Sequence, residues 1–354
     1  MAERATPSTI VDVARAAGVS VATVSRALRG LDRVSPSTRE RVRRVAEELD
    51  YLASPTATSL ASGRTRIIGV IVPFASRWYF AMMMSAIAKA MRDRGYQVLL
   101  FDVEQEPSRG RHELTRSMLW KRVDGVISIN IAMTDDELEL LHGLHVPVVS
   151  VGYDLPGRSL VGIDDHAAAR TATEHLLDLG HRDLAYIGAA LHVNERVRTP
   201  RDRRAGFVDA LQARGLSPRE GWILATDWTS QDAHDLTRDL MRSDGPHPTG
   251  LVCASDEIAL GAHLALGEIG LTVPEDVSIV GIDDHTMAGL FSLTTVRQDF
   301  VAQGEQAAAL LLESIAADAK TAPEPQRVVI DTHLVVRGST APPRRLRQAR
   351  QTPG

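Results

Sequence analysis

Thr9-Ile10-Val11-Asp12-Val13-Ala14-Arg15-Ala16-Ala17-Gly18-Val19-Ser20-Val21-Ala22-Thr23-Val24-Ser25-Arg26-Ala27-Leu28 reads as two short helices separated by a glycine turn. Ile10, Val13, Ala14 and Ala17 recur at helical spacing, with Ser8 or Thr9 as cap and Asp12 near the positive N-terminal end. Gly18 supplies the tight turn, and Ser20 caps a second helix that runs to about Leu28. Ser35-Pro36-Ser37-Thr38-Arg39-Glu40 opens a third helix, with proline in the first turn and Val42, Val45, Ala46 and Leu49 as its inward stripe. Three short helices with a glycine turn between the first two predict a helix-turn-helix head. In such a head Val21 and Ala22 stand where the second helix meets base edges, and Arg26 lies one turn further on the same face. In isolation a basic helix like this is more often a solvated surface.

After the head, residues 53–66 turn small and polar, predicting a linker with enough Ala and Leu for two helical turns but little to hold them alone. Charge separates the two sides of it. Residues 1–66 carry 11 Arg against 7 Asp/Glu, whereas residues 67–343 stand at −13 in a chain of net charge −5. A basic head on an acidic body predicts a polyanion-binding module on a carrier that avoids polyanions. Residues 341–354 form a basic tail, expected to be disordered, whose lack of heptad leucines argues against a coiled-coil tetramer.

From Ile67 onward a strand-then-helix rhythm repeats. The expected strands are 67–72, 97–102, 125–129, 146–151, 184–187, 223–225, 250–253 and 277–282, most of them continuous apolar runs as parallel strands buried on both faces require. Eight strands in alternation exceed one doubly wound half, so the predicted fold is a small all-α head plus an α/β body of two doubly wound parallel-sheet lobes. The expected boundaries are a head at 1–53, a hinge at 54–66 and a body at 67–340. Lobe one takes 67–165 and 297–326, and lobe two takes 166–296 and 327–340. The helix of residues 78–94 carries apolar residues on more than one side, an excess expected to cover a second subunit or to be buried within the chain.

Composition excludes several classes. With 44% hydrophobic and 24% charged residues, the 354-residue chain is an ordinary globular sequence, and no apolar run approaches the ~18 residues of a membrane span. The polar start lacks the apolar stretch of a secretory signal, so a cytoplasmic protein is expected. Cys253, alone, builds neither a disulfide nor a cysteine metal site. There is no phosphate loop, nucleophile elbow or paired-histidine spacing, and Asp164-Asp165 and Asp283-Asp284 are neighbours in sequence that need not converge on one bond. No catalysis, metal or cofactor is expected.

The motifs Thr9-Ile10-Val11-Asp12-Val13-Ala14, Ala17-Gly18-Val19-Ser20, Thr23-Val24-Ser25-Arg26 and Val34-Ser35-Pro36-Ser37-Thr38-Arg39 closely resemble the LacI/GalR family of bacterial transcriptional repressors. The resemblance runs on through Ile68-Gly69-Val70, Gly180-His181, Arg203-Arg204-Ala205-Gly206-Phe207, Ser255-Asp256-Glu257-Ile258-Ala259-Leu260-Gly261, Val273-Pro274-Glu275-Asp276-Val277-Ser278, Gly281-Ile282-Asp283-Asp284 and Leu293-Thr294-Thr295-Val296, covering roughly residues 9–340. It implies a headpiece that binds operator DNA, a hinge helix, and a body like a periplasmic sugar-binding protein; because one recognition helix reads only a few base pairs, a homodimer on a near-palindromic operator is expected. Thr9, Ser20, Val21, Ala22, Thr23, Ser25, Arg26 and Arg29 then belong to the DNA-binding surface, Tyr51 closes the headpiece core, and Leu60 matches the leucine that wedges into the minor groove. Ala53 and Ser54 stand where Pro and Asn are common, and Thr58 where Arg or Gln often sits.

In the body the resemblance puts Arg203 and Asp283 on effector hydroxyls or polar groups, with Ser255 and Asp256 in the next loop at a strand's C-terminal end. Trp228 and Phe300 match aromatic positions that flank the ligand, and Tyr79, Phe80 and Asn130 fill lobe-one pocket positions. Gly152 stands where some members carry a pocket carboxylate. The implied function is a repressor, cytoplasmic and nucleoid-associated, whose operator affinity is set by a small molecule. The expected effector is a mono- or disaccharide, with a purine as the alternative. A sugar-binding transport protein would share the body but has no use for the head.

Overall fold

The computed structural model describes residues 8–28, 30, 32–51, 63–103, 105–106, 110–190, 198–317 and 323–344. Arg29, the linker residues 52–62 (with Ala53, Ser54, Thr58 and Leu60) and residues 345–354 of the tail lie outside them. The chain divides into two units, residues 1–66 and 67–354.

In the first unit, α1 (Ile10–Ala17), α2 (Val21–Leu28) and α3 (Pro36–Glu48) follow the caps written in the sequence. Thr9 rather than Ser8 caps α1: its hydroxyl accepts the Asp12 amide while the Asp12 carboxylate takes the Thr9 N–H, a reciprocal capping box. Ser8 instead donates to the Leu49 carbonyl at 2.7 Å, tying the start of α1 to the end of α3. Gly18 turns the chain at φ 65°, a conformation that costs glycine little. Val13, Ala14 and Ala17 meet Val24, Ala27, Val42, Val45 and Ala46 in one small core, with Tyr51 packed against it.

The second unit is built on two six-stranded sheets. The first contains β1 (Ile67–Val72), β2 (Gln97–Asp102), β5 (Gly125–Ile129), β6 (Val148–Val151), β7 (Ser159–Gly162) and β13 (Arg327–Val329), all parallel, in the order β13-β7-β6-β5-β1-β2. The second contains β8 (Leu184–Ala189), β9 (Ile223–Thr226), β10 (Gly250–Cys253), β11 (Ser278–Asp283), β12 (Thr294–Arg297) and β14 (His333–Val335), in the order β14-β12-β11-β10-β8-β9. Only β14 runs antiparallel there. A two-residue ribbon, β3 (Gln105–Glu106) with β4 (Gly110–Arg111), lies outside both sheets. Alternation along β1 sends Ile68, Val70 and Val72 to one apolar cluster and Ile71 to another, so both faces of the sheet are covered.

The helices of this unit are α4 (Trp78–Arg92), α5 (Arg116–Leu119), α6 (Asp135–Gly143), α7 (Asp165–Asp178), α8 (Thr199–Gln212), α9 (Ser230–Arg242), α10 (Asp256–Glu268) and α11 (Phe300–Ala316). Most of the apolar excess of α4 is used inside the chain. Met83, Ile87 and Met91 are buried, and Met82, Met84 and Ala86 pack against the same cluster, to which α11 contributes Ala307, Ala308 and Leu311. The expected free apolar face on this helix is therefore largely covered by α11.

Three crossings join the lobes, and one falls elsewhere than expected. Residues 327–329 pair with β7 in the first sheet, and Ile330 donates to the Gly162 carbonyl at 2.7 Å. The last crossing is thus at 330–332, and 327–329 belong to lobe one and not to lobe two. Residues 327–336 hold two short strands of different sheets, separated at Asp331-Thr332.

Candidate functional site

In the head, Val24 and Ala27 of α2 face the core, whereas Val21, Ala22 and Arg26 are exposed on the opposite side. This is what a 3.6-residue period does when one face is buried. Ser20 Oγ accepts the Thr23 amide at 3.1 Å and shares a 2.8 Å hydrogen bond with Thr23 Oγ1. Thr9, Ser20 and Thr23 therefore spend their hydroxyls on helix starts, and Ser25 is half-buried. Val21, Ala22 and Arg26 are the side chains of α2 left open to a partner.

In the body, the candidate effector residues gather at the C-terminal ends of the strands, where open α/β sheets place ligands. Arg203, on α8, is 5% exposed. Its Nε donates to Asp165 Oδ1 at 2.7 Å, Nη1 donates to the Ala254 carbonyl, and Nη1 lies 3.9 Å from Asp283 Oδ1. Asp165 also accepts the Thr199 hydroxyl at 2.9 Å. Close packing of α8 on α7 makes this reach possible: a Cβ on Gly206 would lie 2.2 Å from the His166 carbonyl oxygen. Burial alone would loosen the Arg203 proton, but Asp165 and Asp283 more than offset it and raise its pKa.

Asp283 ends β11 at φ 125° and is followed by Asp284 at φ 59°, two left-handed residues in a row. Arg297 and Arg337 hold the Asp284 carboxylate at 2.6 Å each, which fixes the turn. Asp283 Oδ1 accepts Gln298 Nε2 at 2.5 Å, and Gln298 Oε1 accepts Gln303 Nε2 at 3.1 Å. Burial pushes the Asp283 pKa up to about 7 against the opposing pull of Arg203 and Gln298. Tyr79 senses the same carboxylates: burial first, then the charges of Asp165 and Asp283, raise its pKa.

Aromatic rings line lobe one's side. Tyr79 lies 5.1 Å from Phe80 and 5.7 Å from Phe300, and Trp78 meets Phe300 edge-on at 5.3 Å. Trp78 also reaches lobe two, its ring tilted 38° against His285 at 4.3 Å, and Arg77 Nη1 donates to the Asp227 carbonyl at 3.1 Å. Trp228 follows at φ 69°, half-buried against the lobe-two core. Asn130, at φ 46°, closes β5 with its Oδ1 buried and unpartnered. A Cβ on Gly152 would come within 2.2 Å of that oxygen, so Asn130 fills the room a side chain at 152 would need.

Two expected contacts have other duties. Asp256 is 0% exposed, and its oxygens accept Thr295 Oγ1 and the His285 amide, each at 2.7 Å. It braces the 283–285 turn from beneath instead of facing a ligand, and burial raises its pKa well above the carboxylate range. Ser255 caps α10, its hydroxyl accepting the Ile258 amide at 3.3 Å. Four residues of the site are absent from the set expected on sequence grounds: Asp165, Trp78, Gln298 and His285. Asp165 carried a signal, since Asp164 caps α7 through the Ala167 amide and leaves the next carboxylate free to turn inward.

Comparison with known proteins agrees with this division. A family model described as bacterial regulatory proteins, lacI family, matches residues 9–54, and one described as a periplasmic binding protein-like domain matches 173–340. The chain is 34% identical over 343 residues to the HTH-type transcriptional repressor PurR of Actinobacillus pleuropneumoniae serotype 3 (strain JL03), covering 94% of this chain and 98% of that protein. It is 33% identical over 337 residues to PurR of Haemophilus influenzae (strain PittEE), with the same coverage. Among solved structures, a lac repressor dimer bound to operator and the anti-inducer ONPF aligns with a TM-score of 0.81 at 27% identity, over 95% of this chain and all of that one. The transcriptional regulator CelR–cellobiose complex aligns with a TM-score of 0.67 at 31% identity, over 94% and 99% of the two chains.

Proposed function

Because the chain belongs to the LacI family of DNA-binding transcriptional repressors, we propose that an uncharged sugar held in the cleft of the body sets its affinity for operator DNA. One observation carries this reading: Arg203 is buried between Asp165 and Asp283, and the charges of all three reach Tyr79, whose ring packs on Phe300. Fixed donors and acceptors with apolar walls suit a ring that has hydroxyl edges and C–H faces. The cation at the floor is already matched by carboxylates, so the site suits a neutral ligand better than an anionic one. Asn130, Trp228 and Phe80 complete the walls, and Ser255 and Asp256 shape them from behind. The relative captured with cellobiose supports a saccharide, while the relatives named PurR keep a purine as the second arm of the test.

On the DNA side, Arg26, Val21 and Ala22 are proposed to read base edges. Thr9, Ser20, Thr23, Ser25 and Arg29 lie around them, and Leu60 is the groove wedge. One such helix reads only a few base pairs, so a homodimer on a near-palindromic site is proposed. Its apolar contact is assigned to exposed Leu264 (55%), Met287 and Leu290 (82%), on the segments whose His263 and Phe291 rings meet edge-on. Among the described residues no helix is long and apolar enough to cross a membrane, and we place the protein in the cytoplasm, on the nucleoid.

Calorimetry of the full chain against mono- and disaccharides and purines tests the effector. Saccharide binding that Asp283→Ala abolishes while operator binding persists is the expected outcome. Tight binding of a purine and of no sugar would replace the effector class and leave the repressor.

A further inference from the structure

Trp120 is 53% exposed on the surface of lobe one, an unusual place for the largest apolar side chain. It is flanked by cations: Lys121 Nζ lies 4.8 Å from its ring and the Arg116 guanidinium 5.8 Å. Arg116, Lys121 and Arg122 are all exposed, and none has a carboxylate partner among the described residues. Elsewhere on the body Arg170, Arg214, Arg219 and Arg238 each hold one. Lys121 sits at φ 56°, a left-handed turn that presents its side chain outward between α5 and β5 where a glycine would be relaxed. In a body that stands at −13, this cluster sets cations without carboxylate partners against an open indole.

The Asp124 amide donates to the Ile67 carbonyl at 2.8 Å, and Ile68 is in register with Gly125. The cluster thus borders the N-terminal edge of the first sheet, next to Ile67, the first residue of the body. The candidate effector residues lie at the opposite, C-terminal edge of the same strands. We propose that Arg116, Trp120 and Lys121 form an auxiliary DNA-backbone contact on the body, separate from the head and the hinge. The two cations meet phosphates, and the indole packs on the sugar edge between them. Such a contact adds affinity without sequence preference, because phosphates carry no base information.

The test is operator binding by the full chain, followed by fluorescence anisotropy over a salt series, for wild type, Lys121→Gln, Arg116→Gln and the double variant. Each lost phosphate contact should make the slope of log K against log salt shallower by about 0.9, equally on operator and on a scrambled duplex, with calorimetric effector binding unchanged. Arg26→Ala in the same assay should instead narrow the gap between operator and scrambled DNA, which separates this surface from base readout. Trp120→Leu should reduce affinity for both duplexes by a few-fold without altering sedimentation. An unchanged salt slope in the double variant would overturn the proposal. So would a Trp120→Leu variant that changes oligomeric state, since the patch would then cover protein.

Discussion

Asp165 holds Arg203 through one oxygen, Nε to Oδ1 at 2.7 Å, with only 14% and 6% of the two side chains exposed. The pair joins the first turn of α7 to the middle of α8 and fixes the guanidinium plane on which Asp283 and the Ala254 carbonyl depend. Removing one member of a buried pair leaves the other charged and unmatched. Asp165→Ala should therefore cost about 3 kcal/mol of stability, read as a lower urea midpoint at unchanged m-value, and should abolish effector binding. A loss within experimental error of zero would mean that water already solvates this arginine.

Asp283 gives the body a pH dependence whose sign follows from its displaced pKa. Its carboxyl moves from an ordinary 3.8 to about 7 in the fold. Between those values the folded chain holds more protons than the unfolded one, so this group's contribution falls as pH rises from about 4 to about 7 and is level above that. Asp283→Asn should flatten the decline. Effector binding should run the other way, strengthening toward pH 7, because the ionised carboxylate is the better acceptor for hydroxyls. Urea titrations and calorimetry at matched pH values check both. A wild type and Asp283→Asn with parallel stability profiles would assign the titration to another group.

In the head, stability and readout should separate cleanly. Ser20→Ala removes the hydroxyl that accepts the Thr23 amide and should cost about 1 kcal/mol of headpiece stability. Arg26→Ala touches no core contact and should leave melting unchanged while costing about 1–3 kcal/mol of operator affinity and relaxing specificity in each half-site. Binding to a panel of half-site variants distinguishes the two, since a merely destabilised head weakens all sequences alike.

Gly152 and Asn130 should show coupled effects. A side chain at 152 meets φ 75° and the Asn130 amide together. Gly152→Ala should destabilise by roughly 1–3 kcal/mol, and part of that should vanish in an Asn130→Ala background. Additive losses in the double-mutant cycle would place the whole cost in the backbone.

The elements legible in the sequence are those decided by local physics. Thr9, Gly18, Ser20 and Pro36 set helix starts and turns through their own chemistry, and the apolar runs of β1, β5 and β11 could only be doubly buried strands. What was not legible depended on contacts far apart in the chain. β7 is a short strand with no room to show a period, and it is defined by pairing with β6 and β13. Asp256 and Asp283 look alike as carboxylates at strand ends, yet one points beneath the turn to Thr295 and the other toward Arg203. Asp165 is hidden by its sequence neighbour Asp164, although the helix start sends the two side chains to different partners.

Communication between the cleft and the DNA-binding end requires two arrangements of the lobes, because a ligand shifts operator affinity only if it binds one of them better than the other. Asp283 of lobe two is linked through Gln298, on a crossing strand's exit, to Gln303 on α11 of lobe one, a hydrogen-bonded chain that spans the junction. An effector hydroxyl that engages Asp283 competes with Gln298 for the same carboxylate and so alters the link between the lobes. Gln298→Ala should keep operator affinity without effector close to wild type and should leave sugar affinity within a few-fold. The ratio of operator affinities with and without sugar, expected at about 5–150-fold for a working switch, should shrink toward one. If the ratio is preserved while Gln298 is absent, the coupling runs instead through the Trp78–His285 ring contact, and Trp78→Ala should then remove it.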